Sequence, residues 1–118
     1  MTYPHTQKEI KRALKDLHTT RFSLDSLRNQ RRYCNPEDVA DISDRIAKTA
    51  AFVGIMDDAI AHIPPRDQEV LKICMEINGP WQSTLADALK VSQSTACHRL
   101  HSALRSMQIA LTGEAENE

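Results

Sequence analysis

Residues Gln82–Leu111 read QSTLADALK, VSQ, then STACHRLHSALRSMQIAL, and this stretch decides the fold of the chain. It holds two segments with apolar residues at helical spacing, separated by a short break around Val91. The apolar positions are Leu85, Ala86 and Leu89 in the first segment, and Ala96, Leu100, Ala103, Leu104, Met107 and Leu111 in the second. Ser92 stands where a helix needs its N-cap, so the second helix is predicted to begin near Gln93. The pattern predicts two helices joined by a tight turn.

The second predicted helix has a polar face without acidic residues. The residues on that face are Gln93, Ser94, Cys97, His98, His101, Ser102 and Arg105. Gln, Ser, His and Arg side chains can hydrogen-bond to base edges or phosphates. A helix-turn-helix lays such a recognition helix in the major groove of DNA. The stretch therefore predicts a DNA reader of this kind.

Two motifs in this half of the chain resemble the fourth conserved region of bacterial sigma factors. Thr95–Leu104, TACHRLHSAL, is similar to the family pattern T-V-x-x-R-L-x-x-A-L. Ile63–Leu71, IPPRDQEVL, is similar to the L-P-x-x-x-R-x-V-L entry helix, which LuxR-type response regulators share. The resemblance covers residues 63–111 and implies a helix-turn-helix that reads promoter DNA.

The sequence departs from that pattern at three places. Lys90 occupies a turn position that is usually glycine, which costs about 1 kcal/mol if its φ is positive. Ala96 replaces the usual Val or Ile and thins a core contact. Residues 79–83 form a segment one residue longer than usual. These departures bear on the geometry of the turn more than on the fold.

The helix-turn-helix interpretation assigns two sets of DNA-contacting residues. The first turns of a recognition helix approach the bases most closely. We therefore predict that the bases are read by Gln93, Ser94, Cys97 and His98. The candidates for phosphate contacts are Gln82, Ser83, Thr84, Lys90, Arg99, His101 and Arg105. By resemblance, the corresponding positions of sigma factors read the upstream promoter element.

The N-terminal half is predicted to be a long helical hairpin. A first helix from Thr6 to about Arg32 has a heptad seam of Ile10, Ala13, Leu17, Thr20, Leu24 and Leu27. A second helix, capped by Asn35 and running from Pro36 to His62, has a seam of Val39, Ile42, Ile46, Thr49, Val53, Met56, Ile60 and Ile63. The short break between them favours an antiparallel pair.

Pro64 and Pro65 mark the joint with the second half. A third helix is predicted from Pro65 to a stop signal at residues 78–80, with an apolar face of Val70, Leu71, Cys74, Met75 and Ile77. Trp81 is expected to pack where this helix meets the next. The predicted class is thus all-α, with a coiled-coil-like hairpin over residues 1–63, a three-helix helix-turn-helix unit over 64–111 and an acidic flexible tail over 112–118.

Four apolar residues lie off the hairpin seams: Leu14, Phe22, Phe52 and Ile55. Because two helices alone cannot bury both faces, either the helix-turn-helix unit folds back on the hairpin or a second copy packs against it. We favour a homodimer formed through the N-terminal half. Such a dimer would present two recognition helices to two half-sites.

The net charge of −1 excludes a general polyanion binder. Residues 8–32 hold eight basic and three acidic side chains, residues 33–64 hold two and six, and residues 65–111 hold five and four. DNA affinity must therefore come from geometry, from doubled sites, or from a protein partner such as RNA polymerase or another transcription factor. The architecture also resembles small phage transcriptional regulators of the ArpU and RinA type.

The sequence predicts no enzyme, no cofactor and no metal. Cys97 and His101 share a helix face, but two ligands do not make a metal site. The three scattered cysteines indicate reduced thiols and a cytoplasmic location. No apolar run approaches the ~20 residues that cross a bilayer, so no membrane contact is expected.

Two functions of other classes stay open. The chain could be a protein-interaction adaptor, or an inhibitor of a transcription factor, that acts through its long helices. It could also be a viral DNA-packaging small subunit that pairs a helix-turn-helix with an oligomerisation helix. Ring-like oligomers would favour the packaging subunit over a dimeric regulator.

Overall fold

The computed structural model describes residues 3–76 and 79–114, and over these ranges the chain forms five α-helices. In chain order they are α1 (Gln7–Tyr33), α2 (Val39–His62), α3 (Pro65–Met75), α4 (Trp81–Leu89) and α5 (Gln93–Thr112), with a 3-10 helix at Pro36–Asp38 before α2. The all-α class, with a hairpin followed by a three-helix unit, is confirmed. Ile77, Asn78 and residues 115–118 of the predicted tail lie outside the described residues.

The first helix begins with a capping box. The Thr6 hydroxyl accepts a hydrogen bond from the backbone N–H of Glu9 over 3.1 Å, and the Glu9 carboxylate accepts one from the backbone N–H of Thr6 over 3.2 Å. The hydrogen bonds from Thr6 lower the pKa of the Glu9 carboxyl. Thr6 is therefore the N-cap, and α1 begins at Gln7, one residue after the predicted start.

The second helix returns along the first, and the predicted seam lies between them. Its side chains are buried or half-buried except for Val39 at the hairpin tip, which is exposed. An ion pair between Arg21 and Asp57 joins the two helices.

Asn35 stands at the predicted N-cap position, with Pro36 as the first helical residue, but its side chain makes no capping hydrogen bond. The helix begins as a 3-10 turn over Pro36–Asp38, in which the Asn35 carbonyl accepts the N–H of Asp38 over 2.9 Å, and α2 itself begins three residues later than predicted, at Val39.

One hydrophobic core joins the hairpin to the three C-terminal helices. Its most completely buried side chains come from all five helices: Ile10, Leu14, Leu17, Met56, Leu71, Cys74, Leu85 and Met107. A polar contact reinforces the same junction, because the buried Gln108 of α5 donates from Nε2 to the carbonyl of His5 over 2.8 Å. The helix-turn-helix unit is thus packed onto the base of the hairpin.

The four apolar residues off the seams divide into two groups. Leu14 and Phe52 belong to the common core, whereas Phe22 is 68% exposed and Ile55 is 38% exposed. Near the hairpin tip, Tyr33 is 82% exposed. The molecule measures 55 × 29 × 21 Å, so the distal part of the hairpin extends beyond the core. Intramolecular packing accounts for two of the four residues and leaves an apolar surface on the distal hairpin.

The turn between α4 and α5 is a Schellman motif. Val91 N–H donates to the Ala86 carbonyl over 3.0 Å and Lys90 N–H donates to the Asp87 carbonyl over 3.3 Å. Lys90 takes the left-handed conformation, with φ 56° and ψ 46°. The half-buried Val91 then packs against the core and fixes the angle at which the chain enters α5.

Replacing Lys90 by glycine is expected to raise the free energy of unfolding by up to about 1 kcal/mol, because glycine has no Cβ to strain the left-handed backbone. Urea unfolding followed by circular dichroism measures the change. As a control, Lys72→Gly in the right-handed backbone of α3 is expected to lower stability by about 1 kcal/mol. A lower urea midpoint for the Lys90 variant would contradict the strain at this turn.

Candidate nucleic-acid interface

The candidate recognition helix, α5, begins at a well-formed cap. The Ser92 hydroxyl accepts a hydrogen bond from the backbone N–H of Thr95 over 3.1 Å, as the sequence predicts. The buried side chains of Ala96, Leu100 and Ala103 hold the opposite side of α5 against the core. The first turns of α5 are thereby rigid, and their polar side is turned to the surface.

The four candidate base readers lie together at this end of the helix. Gln93, Ser94, Cys97 and His98 are all exposed, within the first two turns of α5. The whole helix, Gln93–Thr112, contains no Asp or Glu. An acidic side chain here would repel the phosphates of DNA, so this surface is compatible with close approach of a nucleic acid.

The candidate phosphate contacts at the start of α4 are brought to the same end of α5. Gln82 is exposed, and its Nε2 donates to the carbonyl of Gln93 over 3.3 Å. Ser83 and Thr84 are half-buried, and the Thr84 hydroxyl donates to the Pro80 carbonyl over 2.6 Å. This hydrogen bond therefore joins the first turn of α4 to Gln93, the first residue of α5.

The remaining candidates are spread along the turn and α5. Lys90 and Arg105 are exposed, while His101 is half-buried. Arg105 lies twelve positions after Gln93, which is roughly 18 Å along a helix. Gln82 is therefore closer than Arg105 to the start of α5, where the candidate base readers lie.

Arg99 lines a cleft of about 290 Å³ between α3 and α5. The other lining residues are Arg66, Asp67, Val70, Thr95, His98 and Ser102. Arg99 is half-buried, and its Nε–H is buried without an acceptor among the described residues. Arg66, in the first turn of α3, contributes a second guanidinium to this cleft that the sequence motifs did not single out.

The buried carboxylate of Asp67 connects α3 to α5 through hydrogen bonds. Asp67 is 7% exposed and accepts hydrogen bonds from the hydroxyls of Ser106 over 2.6 Å and Ser102 over 3.3 Å. Ser102 is exposed on the predicted polar face of α5, and its hydroxyl is engaged with Asp67 of α3. Asp67 has a structural role here, because it fixes the position of α5 relative to α3.

The three cysteines are free and differ in environment. Cys97 is exposed on the recognition helix, Cys34 is half-buried at the hairpin tip and Cys74 is buried in the core. Burial raises the pKa of the Cys74 thiol to about 11, and the positive charge of Lys11 opposes only part of that rise. Cys74 therefore stays protonated and unreactive at neutral pH.

Comparison with known proteins finds no relative from which a function could be inferred. No protein-family profile, no curated protein and no solved structure matches this chain. Within residues 3–76 and 79–114, no cluster of three or more His, Cys, Asp or Glu side chains has the arrangement of a metal site. Over the same ranges, every helix is too short or too polar to cross a membrane.

Proposed function

We propose that this chain is a sequence-specific DNA-binding transcriptional regulator that uses α4 and α5 as a helix-turn-helix. One observation carries the proposal: the polar, acid-free start of α5 is exposed, capped and held rigidly against the core. Gln93 and His98 supply side chains that hydrogen-bond to base edges, and Cys97 supplies a small apolar contact. The residue motifs shared with sigma factors support the same function.

The charge distribution favours sequence reading over non-specific binding. The whole chain carries −1, so it lacks the strong positive field that attracts any polyanion. Gln82, Lys90 and Arg99 would hold the backbone while the first turns of α5 read the bases. The free cysteines support a cytoplasmic location.

We extend the proposal to a homodimer formed through the distal hairpin. Phe22 and Tyr33 are exposed there, and the seam residues Ile42 and Ile46 are only half-buried. A second copy would cover this apolar surface and present a second recognition helix to a second half-site. If RNA polymerase or another transcription factor covered this surface instead of a second copy, its own contacts would likewise raise the affinity of the complex for DNA.

Selection from pooled random duplex DNA at two salt concentrations tests the function. We expect an enriched motif, with affinity that falls as salt rises. Two copies of the motif at a fixed spacing would support the dimer. If no sequence is enriched even at low salt, the DNA-reading proposal fails and the adaptor that acts through the long helices takes its place.

Cysteine alkylation gives an independent prediction for the recognition helix. In the native protein, a maleimide should modify exposed Cys97 quickly, and Cys74 only after unfolding, because the core shields that thiol. Duplex DNA carrying the selected motif should slow modification of Cys97 by roughly tenfold or more, since the major groove would cover it. Mass spectrometry of tryptic peptides measures both rates.

Cys34 at the hairpin tip is the internal control for this measurement. On a duplex with one copy of the motif, so that dimerisation does not enter, its rate should not change when DNA binds to the start of α5. Equal modification of Cys97 with and without bound DNA would contradict the proposed position of α5.

A further inference from the structure

The first turns of α1 carry a basic stripe that the helix-turn-helix does not include. It consists of Lys8, Lys11, Arg12 and Lys15, spaced by threes and fours and therefore on one face of the helix. Lys8, Arg12 and Lys15 are exposed and Lys11 is half-buried. The stripe lies on the proximal part of the hairpin, where α1 packs against the common core.

Contacts with Trp81 place this stripe beside the start of α4. The Nζ atoms of Lys11 and Lys15 lie 5.8 Å and 5.5 Å from the centroid of the Trp81 ring. Trp81 is the first residue of α4, and Gln82 follows it with its bond to Gln93. The two lysines are thus adjacent to the end of α4 that meets the recognition helix.

Among the described residues, no ion pair neutralises the charges of the stripe. The salt bridges of these residues involve Arg21, Arg28, Arg45 and Lys48 as cations. The carboxylate of Glu9, within the same turns of α1, is engaged in the capping box. Asp16 follows Lys15 on α1, and Glu76 lines the same cleft as Lys15. The four cations of the stripe outnumber these three acids.

We propose that this stripe is a second DNA-contacting surface, which binds the phosphate backbone next to the segment held by α4. The inference rests on the proposed function, since it takes the DNA to lie across the starts of α4 and α5. Phosphates are the occupant that the positive charge of the stripe favours. The hairpin then both carries the distal apolar surface and extends the protein–DNA contact.

The test compares two triple variants of the full-length chain that remove the same charge from the same helix. One is Lys8→Gln, Arg12→Gln and Lys15→Gln. The matched control is Arg28→Gln, Arg31→Gln and Arg32→Gln near the hairpin tip, where all three arginines are exposed. Affinity is measured from 50 to 200 mM salt on a duplex with one copy of the selected motif, so that dimerisation does not enter. Circular dichroism verifies that both variants are folded.

We expect the stripe variant to lose about 2.7 from the slope of log affinity against log salt, at roughly 0.9 for each phosphate contact. Between 50 and 200 mM salt, the factor by which its affinity falls should then be roughly 40 times smaller than the factor for the unmodified chain. The control should keep the full slope. If both variants lose the same slope, or neither does, the stripe does not contact DNA and this inference fails while the proposed function stands. If the unmodified chain binds no duplex, the proposed function and this inference fail together.

Discussion

Replacing Met56 by alanine is expected to lower the free energy of unfolding by about 2–5 kcal/mol, because it leaves a cavity in the core. Met56 belongs to the hairpin, but it is completely buried in the cluster that includes α3, α4 and α5. The loss should therefore appear in one cooperative transition of the whole chain, with the helix-turn-helix unfolding together with the hairpin. Thermal or urea unfolding followed by circular dichroism measures it.

The neighbouring Ile55 provides the control. Its side chain is 38% exposed, so Ile55→Ala should cost less than about 1 kcal/mol. A Met56→Ala variant with two separate transitions, one of them at the original midpoint, would show that the helix-turn-helix folds independently of the hairpin.

The second large effect is expected at the recognition helix. Gln93→Ala should relax preference at one base position and lower affinity for the selected motif roughly 5- to 140-fold, the equivalent of about 1–3 kcal/mol for a base contact. Arg99→Ala should instead weaken binding to all sequences by a similar factor, because a phosphate contact carries no sequence information. Fluorescence anisotropy with the selected duplex and single-base variants of it separates the two outcomes.

Each of these substitutions has a matched control near the hairpin tip. Gln30→Ala and Arg31→Ala remove the same side chains from exposed positions of α1, and we expect neither to change affinity for a duplex with one copy of the motif. Unchanged binding for both Gln93→Ala and Arg99→Ala would remove α5 from the interface.

The sequence predicted the helices well because their signals are local. The heptad spacing from Ile10 to Leu27 and from Ile42 to Ile63 follows from one side of each helix being buried. Ser92 before α5 is a signal read within a few residues. The turn at Lys90 is a second local signal. The family pattern usually has glycine at this position, and Lys90 does have a positive φ.

Packing between distant segments could not be predicted in this way. Leu14 and Phe22 look equivalent as apolar residues off the seam, yet Leu14 is buried by the fold-back of the C-terminal unit and Phe22 is not. This difference is not encoded in the spacing of residues within a single helix.

The candidate interface was only partly visible from the motifs. The exposed start of α5 follows from helical periodicity. The hydrogen bonds of Asp67 to Ser102 and Ser106, and the contacts of Lys11 and Lys15 with Trp81, join residues far apart in the chain. Arg66 likewise becomes a candidate only once α3 is placed against α5.

Titration of the isotopically labelled full-length chain with the selected duplex, followed by amide chemical shifts, locates the DNA on the protein. If DNA binds at the starts of α4 and α5, we expect the largest shifts at residues 82–84 and 93–102, with the distal hairpin around Tyr33 unchanged when the duplex carries one copy of the motif. Shifts confined to the distal hairpin, with residues 93–102 unchanged, would contradict binding at the starts of α4 and α5.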